Sequence, residues 1–116
     1  MKRRRAERGG RRGERIAALW LQLKGWHILA RRARTRVGEV DLVARRGRTI
    51  AFVEVKARAT ERDAGMALDD YRLRRVAAAA EALAPRFARH GEDLRIDAIF
   101  IVPWRLPRHL ENVWHG

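Results

Sequence analysis

The chain has 116 residues, 27 of them Lys or Arg against 14 Asp or Glu, for a net charge of +13 at neutral pH. That length supports one domain with a single core, and with no cysteine both disulfides and thiolate chemistry are excluded, as suits a reducing, cytoplasmic setting. The longest apolar runs are short segments such as Ala98 to Val102, far below a membrane span, so a soluble protein with no membrane partner is expected.

Met1-Lys2-Arg3-Arg4-Arg5 opens with charge, but Gly9, Gly10, Arg11 and Arg12 stand where the apolar core of a signal peptide would be, so no export signal is read. Residues 1 to 9 are expected as a disordered basic arm ahead of one domain over residues 10 to 116. Ile16, Leu19, Trp20 and Leu23 recur at helical spacing between Arg11 and Lys24, and Gly25 is a C-terminal stop; Trp20 is assigned to the core by its phase. Trp26 to Ala30 reads as a short strand, with Trp26 also in the core, leading into the basic stretch Arg31 to Arg36. Gly38 to Arg45 and Thr49 to Ala57 read as a hairpin around Arg45-Arg46-Gly47-Arg48. Residues 58 to 66 are polar and loop-like. Asp69 or Asp70 caps a helix that runs through Ala77 to Ala80 and stops near Pro85. Arg95 to Val102 is a further strand, and Leu110 to Trp114 a candidate last one.

The second strand of the hairpin carries the chemistry. Within Thr49-Ile50-Ala51-Phe52-Val53-Glu54-Val55-Lys56-Ala57, a carboxylate and an ammonium sit two residues apart in a run apolar enough to be covered on both faces, where unpaired charges lose several kcal/mol of solvation. Glu54 and Lys56 therefore need partners. Only Lys2, Lys24 and Lys56 are lysines among the basic residues, and an ammonium is a compact charge that fits beside a phosphate or an attacking water where a guanidinium fork needs more room.

Side chains alternate along a strand, so Glu39 shares a face with Asp41, and Glu54 with Lys56. A two- or four-residue connection centred on Arg46-Gly47 would set Asp41 opposite Phe52 and Glu39 opposite Glu54, with all four charges on one side; a three-residue loop would scatter them. Clustered carboxylates repel one another unless a divalent cation binds them. Magnesium suits an all-oxygen set, with Asp41 and Glu54 as ligands, the Val55 carbonyl as a third, and Lys56 placed to act on a water or on a phosphorane-like transition state. The competing reading is a plain ion pair between Glu54 and Lys56 with Glu39 and Asp41 on a wet face, since so short a pattern often arises by chance.

Gly38-Glu39-Val40-Asp41-Leu42-Val43 and Phe52-Val53-Glu54-Val55-Lys56-Ala57-Arg58 resemble the signature of the YraN-like bacterial proteins, a small family in the PD-(D/E)xK superfamily alongside restriction endonucleases and archaeal Holliday-junction resolvases. Gly13-Glu14 followed by Ala18, and Gly25 before an apolar strand, match the family's first helix, so the resemblance runs from about residue 11 to residue 102. It implies an α/β fold, a restriction-endonuclease-like core of order αβββαβ with a mixed central sheet flanked by helices. It also implies Asp41, Glu54 and Lys56 as catalytic residues, Mg2+ or Mn2+ as cofactor, and Glu14 joining Asp41, Glu54 and Val55 around the metal, with Glu39 in support. Val40 departs from the proline of the superfamily name. Arg72 stands where a lysine is expected, which leaves a generic positive charge there. Related resolvases pair to cut two strands, so the resemblance leaves room for a homodimer, although no surface in the sequence demands one.

Residues 1 to 36 hold thirteen of the Lys and Arg against only Glu7 and Glu14. This asymmetry points to nucleic acid, most simply DNA, with Arg31, Arg32, Arg34, Arg36, Arg58 and Arg72 as backbone contacts; the alternative is that compositional bias has merely charged a surface. Trp104 and Trp114 are the better candidates for stacking on unpaired bases. His27, His90, His109 and His115 show no ligand spacing and are expected at the surface or half-buried. A metal-dependent endonuclease acting on DNA, branched DNA included, is the leading expectation. Its rivals are a nucleic-acid-binding module that keeps the fold without the reaction, and an arginine-rich domain that docks on a protein complex.

Overall fold

In the computed structural model, which describes residues 2–115 and the side chains of residues 10–115, the apolar run Thr49–Ala57 is the central strand, and every residue from Ile50 to Lys56 is buried. Around it the chain forms α1 (Lys2–Leu23), β1 (His27–Thr35), β2 (Gly38–Arg46), β3 (Thr49–Ala57), α2 (Glu61–Ala67), α3 (Asp70–Phe87), β4 (Asp93–Ile101) and β5 (Arg108–Leu110). The strands make one five-stranded sheet in chain order, with β3 and β4 parallel and the other pairs antiparallel. This is a mixed sheet flanked by helices, consistent with a nuclease-like core. No helix among the described residues is long and apolar enough to cross a membrane. The side chains of residues 1 to 9, the stretch expected as a basic arm, lie outside the described residues, although α1 as a backbone element begins at Lys2.

Two cores sandwich the sheet. On one face α1 sets Ala17, Ala18 and Leu21 against Leu42, Val53, Val55 and Ile99, with Trp26 2% exposed. On the other, α3 sets Leu73, Val76, Ala79 and Leu83 against Val40, Val43, Ile50, Phe52 and Ile96. The stripe chosen from the sequence for α1 is not its buried face: Ile16, Leu19 and Leu23 are exposed, and Trp20 is only half-buried. Small residues explain the difference. A Cβ on Gly13 would lie 3.0 Å from that of Ala57, so the helix approaches the sheet along its Gly-Ala-Ala face and turns its larger apolar side chains to the flank.

Several boundaries also differ from expectation. β1 extends through the basic stretch to Thr35, because pairing with β2 continues to Thr35↔Gly38. The segment expected as a loop over residues 58 to 66 holds all but the last residue of α2, capped where the Thr60 hydroxyl accepts from the Asp63 amide. Asp69 caps α3 by accepting from Arg72 N, and the helix passes through Pro85 to Phe87, the proline falling in its last turn. The last strand is Arg108–Leu110, earlier than Leu110 to Trp114, because it pairs with β4 through Ile99↔His109.

Candidate functional site

The β2–β3 hairpin turns through Gly47-Arg48, with Gly47 at a φ of +60°. Its register pairs Val43 with Phe52 and Leu42 with Val53, two residues away from the expected Asp41–Phe52 match. An even slip preserves the faces, so Asp41, the next residue of β2, falls beside Glu54. Beyond Leu42 the Asp41 carboxylate takes the place of the ladder: its Oδ2 accepts the Val55 amide at 2.7 Å. Lys56 Nζ lies 3.0 Å from Glu54 Oε1, both side chains almost covered. Burial, and next the charge of Glu54, push the Asp41 carboxyl up to about 8, against the hydrogen bond from the Val55 amide.

The adjoining strand is irregular at the same level. Between the Arg31↔Leu42 and Ala33↔Val40 pairs stand Arg32 and Asp41, and Arg32 has a φ of +52°, a left-handed conformation that a long side chain adopts at a cost. Strict alternation fails there: Val40 and Val43, three positions apart, both join the α3-side core. The distortion aims Arg32 at α1, where its Nε donates to Glu14 Oε2 at 2.9 Å. Glu39, expected to share the Asp41 face, is exposed and sits 3.9 Å from Arg34.

Glu14, Arg32, Glu39, Asp41, Glu54 and Lys56 all line one cavity of about 580 Å³, with Tyr71, Arg72 and Arg75 of α3 on its opposite wall. Two close approaches assemble it. Gly13 lets α1 bring Glu14 in, and Gly38 lets α3 pass over the start of β2, where a Cβ would lie 3.2 Å from the Arg75 carbonyl oxygen. Of the expected nucleic-acid contacts, Arg32 and Arg72 reach this cavity, Arg58 lines a neighbouring cleft, and Arg31, Arg34 and Arg36 are exposed on and just after β1. Tyr71 and Arg75 were not among the expected site residues. The arginines Arg72, Arg74 and Arg75 early in α3, placed against the helix dipole, hint in the sequence at a nearby anion, and two of them, Arg72 and Arg75, reach the cavity.

A second charged cluster, unforeseen from the sequence, lies on the β4–β5 side. Asp97 is fully buried, accepts two hydrogen bonds from Arg95 at 2.9 Å each and one from Asn112 N at 2.9 Å, and lies 2.7 Å from His109 Nε2. Lys24 Nζ is 2.8 Å from His109 Nδ1. An ammonium has no lone pair, so Lys24 donates and Nε2 carries the proton given to Asp97. Burial pushes the Asp97 carboxyl up, but the bonds from His109, Arg95 and Asn112 outweigh it and hold the group below its ordinary value. The His109 side chain is 2% exposed, more enclosed than expected. Every oxygen of Asp97 is satisfied within the fold, so the cluster clamps β5 to β4.

The charges of the Asp41–Glu54–Lys56 cluster do not cancel when every group is ionised. With Asp41 and Glu54 both ionised and Lys56 positive, two carboxylates and one ammonium leave a net charge of −1. A proton on Asp41 neutralises it; a divalent cation in its place would make it +1, which one phosphodiester would balance. Among the described residues no three acidic or histidine side chains converge to hold a metal by themselves. Two carboxylates suit an ion such as Mg2+, which keeps several waters. Glu14, tied to Arg32, stands at the edge of this set.

The profile of Uncharacterised protein family UPF0102 matches residues 13–101, a span that includes every residue of the Asp41–Glu54–Lys56 cluster. A UPF0102 protein of Rhizorhabdus wittichii is 63% identical over 111 residues, covering 96% of this chain and 94% of that one. One from Sphingopyxis alaskensis is 64% identical over 109 residues, covering 94% of each, and one from Erythrobacter litoralis is 60% identical over 114 residues, covering 98% of each. On the family match and these near full-length relatives together, the chain belongs to the UPF0102, or YraN-like, family.

Proposed function

We propose that the chain is a metal-dependent endonuclease that hydrolyses phosphodiester bonds in DNA. The observation that carries this reading is the meeting of Asp41 and Glu54, from neighbouring strands, in an arginine-lined cavity with Lys56 bonded to Glu54 at 3.0 Å. Burying two carboxylates side by side destabilises a fold unless something binds them, and the fully satisfied Asp97 shows how this chain treats a purely structural carboxylate. Asp41 and Glu54 would hold Mg2+ or Mn2+, whose role when bound is to polarise the phosphate and lower the pKa of a water. Lys56 presents an ammonium for the charge that develops on the phosphoryl oxygens, kept in place by Glu54. Arg32, Arg72 and Arg75 draw the anionic strand to the cavity wall, and the +13 charge steers it there.

Incubation of linear duplex, flap and four-way DNA with Mg2+ or Mn2+ tests this, comparing the wild type with Asp41→Ala and Lys56→Ala. Cleavage by the wild type and its loss in both variants is expected. A wild type that binds these DNAs but cuts none, with variants that bind equally well, would leave a non-catalytic nucleic-acid-binding module.

A further inference from the structure

Trp104 lies in the loop between β4 and β5 at 103% of its reference exposure. An uncovered indole adds nothing to the hydrophobic stability of the fold. Its backbone is also costly. Its φ is +66°, and the Arg105 amide donates to the Val102 carbonyl at 3.3 Å, closing a turn with Pro103 and Trp104 at its centre. Proline followed by a residue of positive φ is the type II arrangement, whose second central position suits glycine and penalises a bulky side chain. Strain and exposure at one residue point to a use outside the fold.

The cleft beside Trp104, about 620 Å³, is floored by apolar atoms including Ile16 and bordered by Arg12, Arg58 and Arg105. Among the described residues none of these three arginines lies within ion-pairing distance of a carboxylate. An aromatic face ringed by guanidinium groups matches a planar base with a phosphate on either side, and an acidic protein would supply the charge without the stack of flat rings. In the chain it adjoins the other cavity: Gly13 and Ala57 line this cleft, and their chain neighbours Glu14 and Lys56 line that of Asp41 and Glu54. Side chains alternate along β3, so Ala57 and Lys56 face opposite sides of the strand and the two cavities open on opposite sides of it.

We propose that Trp104 is a stacking platform for an unpaired nucleotide, with Arg12, Arg58 and Arg105 holding the flanking phosphates. Bases within a duplex are already stacked on one another, so the platform selects flaps, gaps and open junction arms. Calling the bound strand a substrate rests on the hydrolase reading of the neighbouring cavity; the stacking does not.

The test measures anisotropy of labelled oligothymidylate, oligouridylate and duplex DNA of equal length with the full chain in EDTA. Trp104→Ala removes no buried contact and is expected to weaken single-strand binding roughly 5- to 100-fold, with duplex binding changed by less than about twofold, while Trp104→Phe retains most of the affinity. Equal losses on the DNA and RNA strands support the platform, as does a loss on oligothymidylate alone, which would assign it to DNA. Unchanged single-strand affinity in Trp104→Ala overturns the proposal and leaves the cleft to a protein partner; an equal loss on duplex overturns it too. A wild type that cuts no DNA but shows the single-strand loss defeats the hydrolase reading alone. One that cuts flap over duplex with the same preference after Trp104→Ala defeats the platform alone.

Discussion

Asp41→Asn in metal-free buffer should make the protein more stable at neutral pH. The Asp41 carboxyl is raised from 3.8 to about 8 by burial and by Glu54. Below about pH 4 the folded and unfolded states both hold the proton, and the group makes no difference. Between about pH 4 and 8 the unfolded chain gives up its proton while the folded chain keeps it, so stability falls steadily; above about 8 the loss is complete. At pH 7 roughly three units of the shift are expressed, about 4 kcal/mol at ~1.4 kcal/mol per unit. The folded carboxyl keeps its proton at this pH, so the difference comes from ionisation of the unfolded chain, whose residual structure trims the expected gain to about 2–4 kcal/mol. The substituted amide has no proton to lose, and its oxygen still accepts from Val55 N. Thermal melts followed by circular dichroism in EDTA should put the variant roughly 8–16 °C above the wild type at pH 7, with the gap closing toward pH 4. Added Mg2+ should raise the wild-type melting temperature and leave the variant unmoved. Parallel melting curves for the two proteins at every pH would refute the raised Asp41 carboxyl.

Lys56→Met strips Glu54 of its 3.0 Å partner; urea unfolding in EDTA should show a loss of about 3 kcal/mol, and DNA cleavage should fall by at least about 100-fold. Gly13→Ala places a methyl 3.0 Å from Ala57 Cβ; calorimetry should show a loss of roughly 1–2 kcal/mol as α1 is pushed outward, carrying Glu14 away from Arg32. Asp97→Asn leaves Arg95 and His109 without their anion and should cost about 3 kcal/mol by urea unfolding at pH 7 without altering DNA affinity. Because Asp97 is held below its ordinary value, its contribution is present above about pH 4 and lost as the pH falls toward the folded-state value, so the gap between the variant and the wild type should narrow in acid.

The amino-acid sequence by itself determined the central strand, the hairpin and the common side of Asp41, Glu54 and Lys56. These are local matters: an apolar run long enough to be covered on both faces, and a two-residue period that a register slip of two leaves intact. The same robustness hid the true register, so Asp41 rather than Glu39 came to lie beside Glu54. Tertiary structure alone decided which stripe of α1 is buried, because the choice turned on how closely Gly13 and Ala17 can approach a strand that the helix's own periodicity does not contain. It decided the left-handed Arg32 that reaches Glu14, the arrival of Tyr71 and Arg75 over Gly38, and the pairing of His109 with an aspartate twelve residues away. Each depends on contacts between segments distant in the chain, where the cost of burying a charge is set by the partners the fold brings to it.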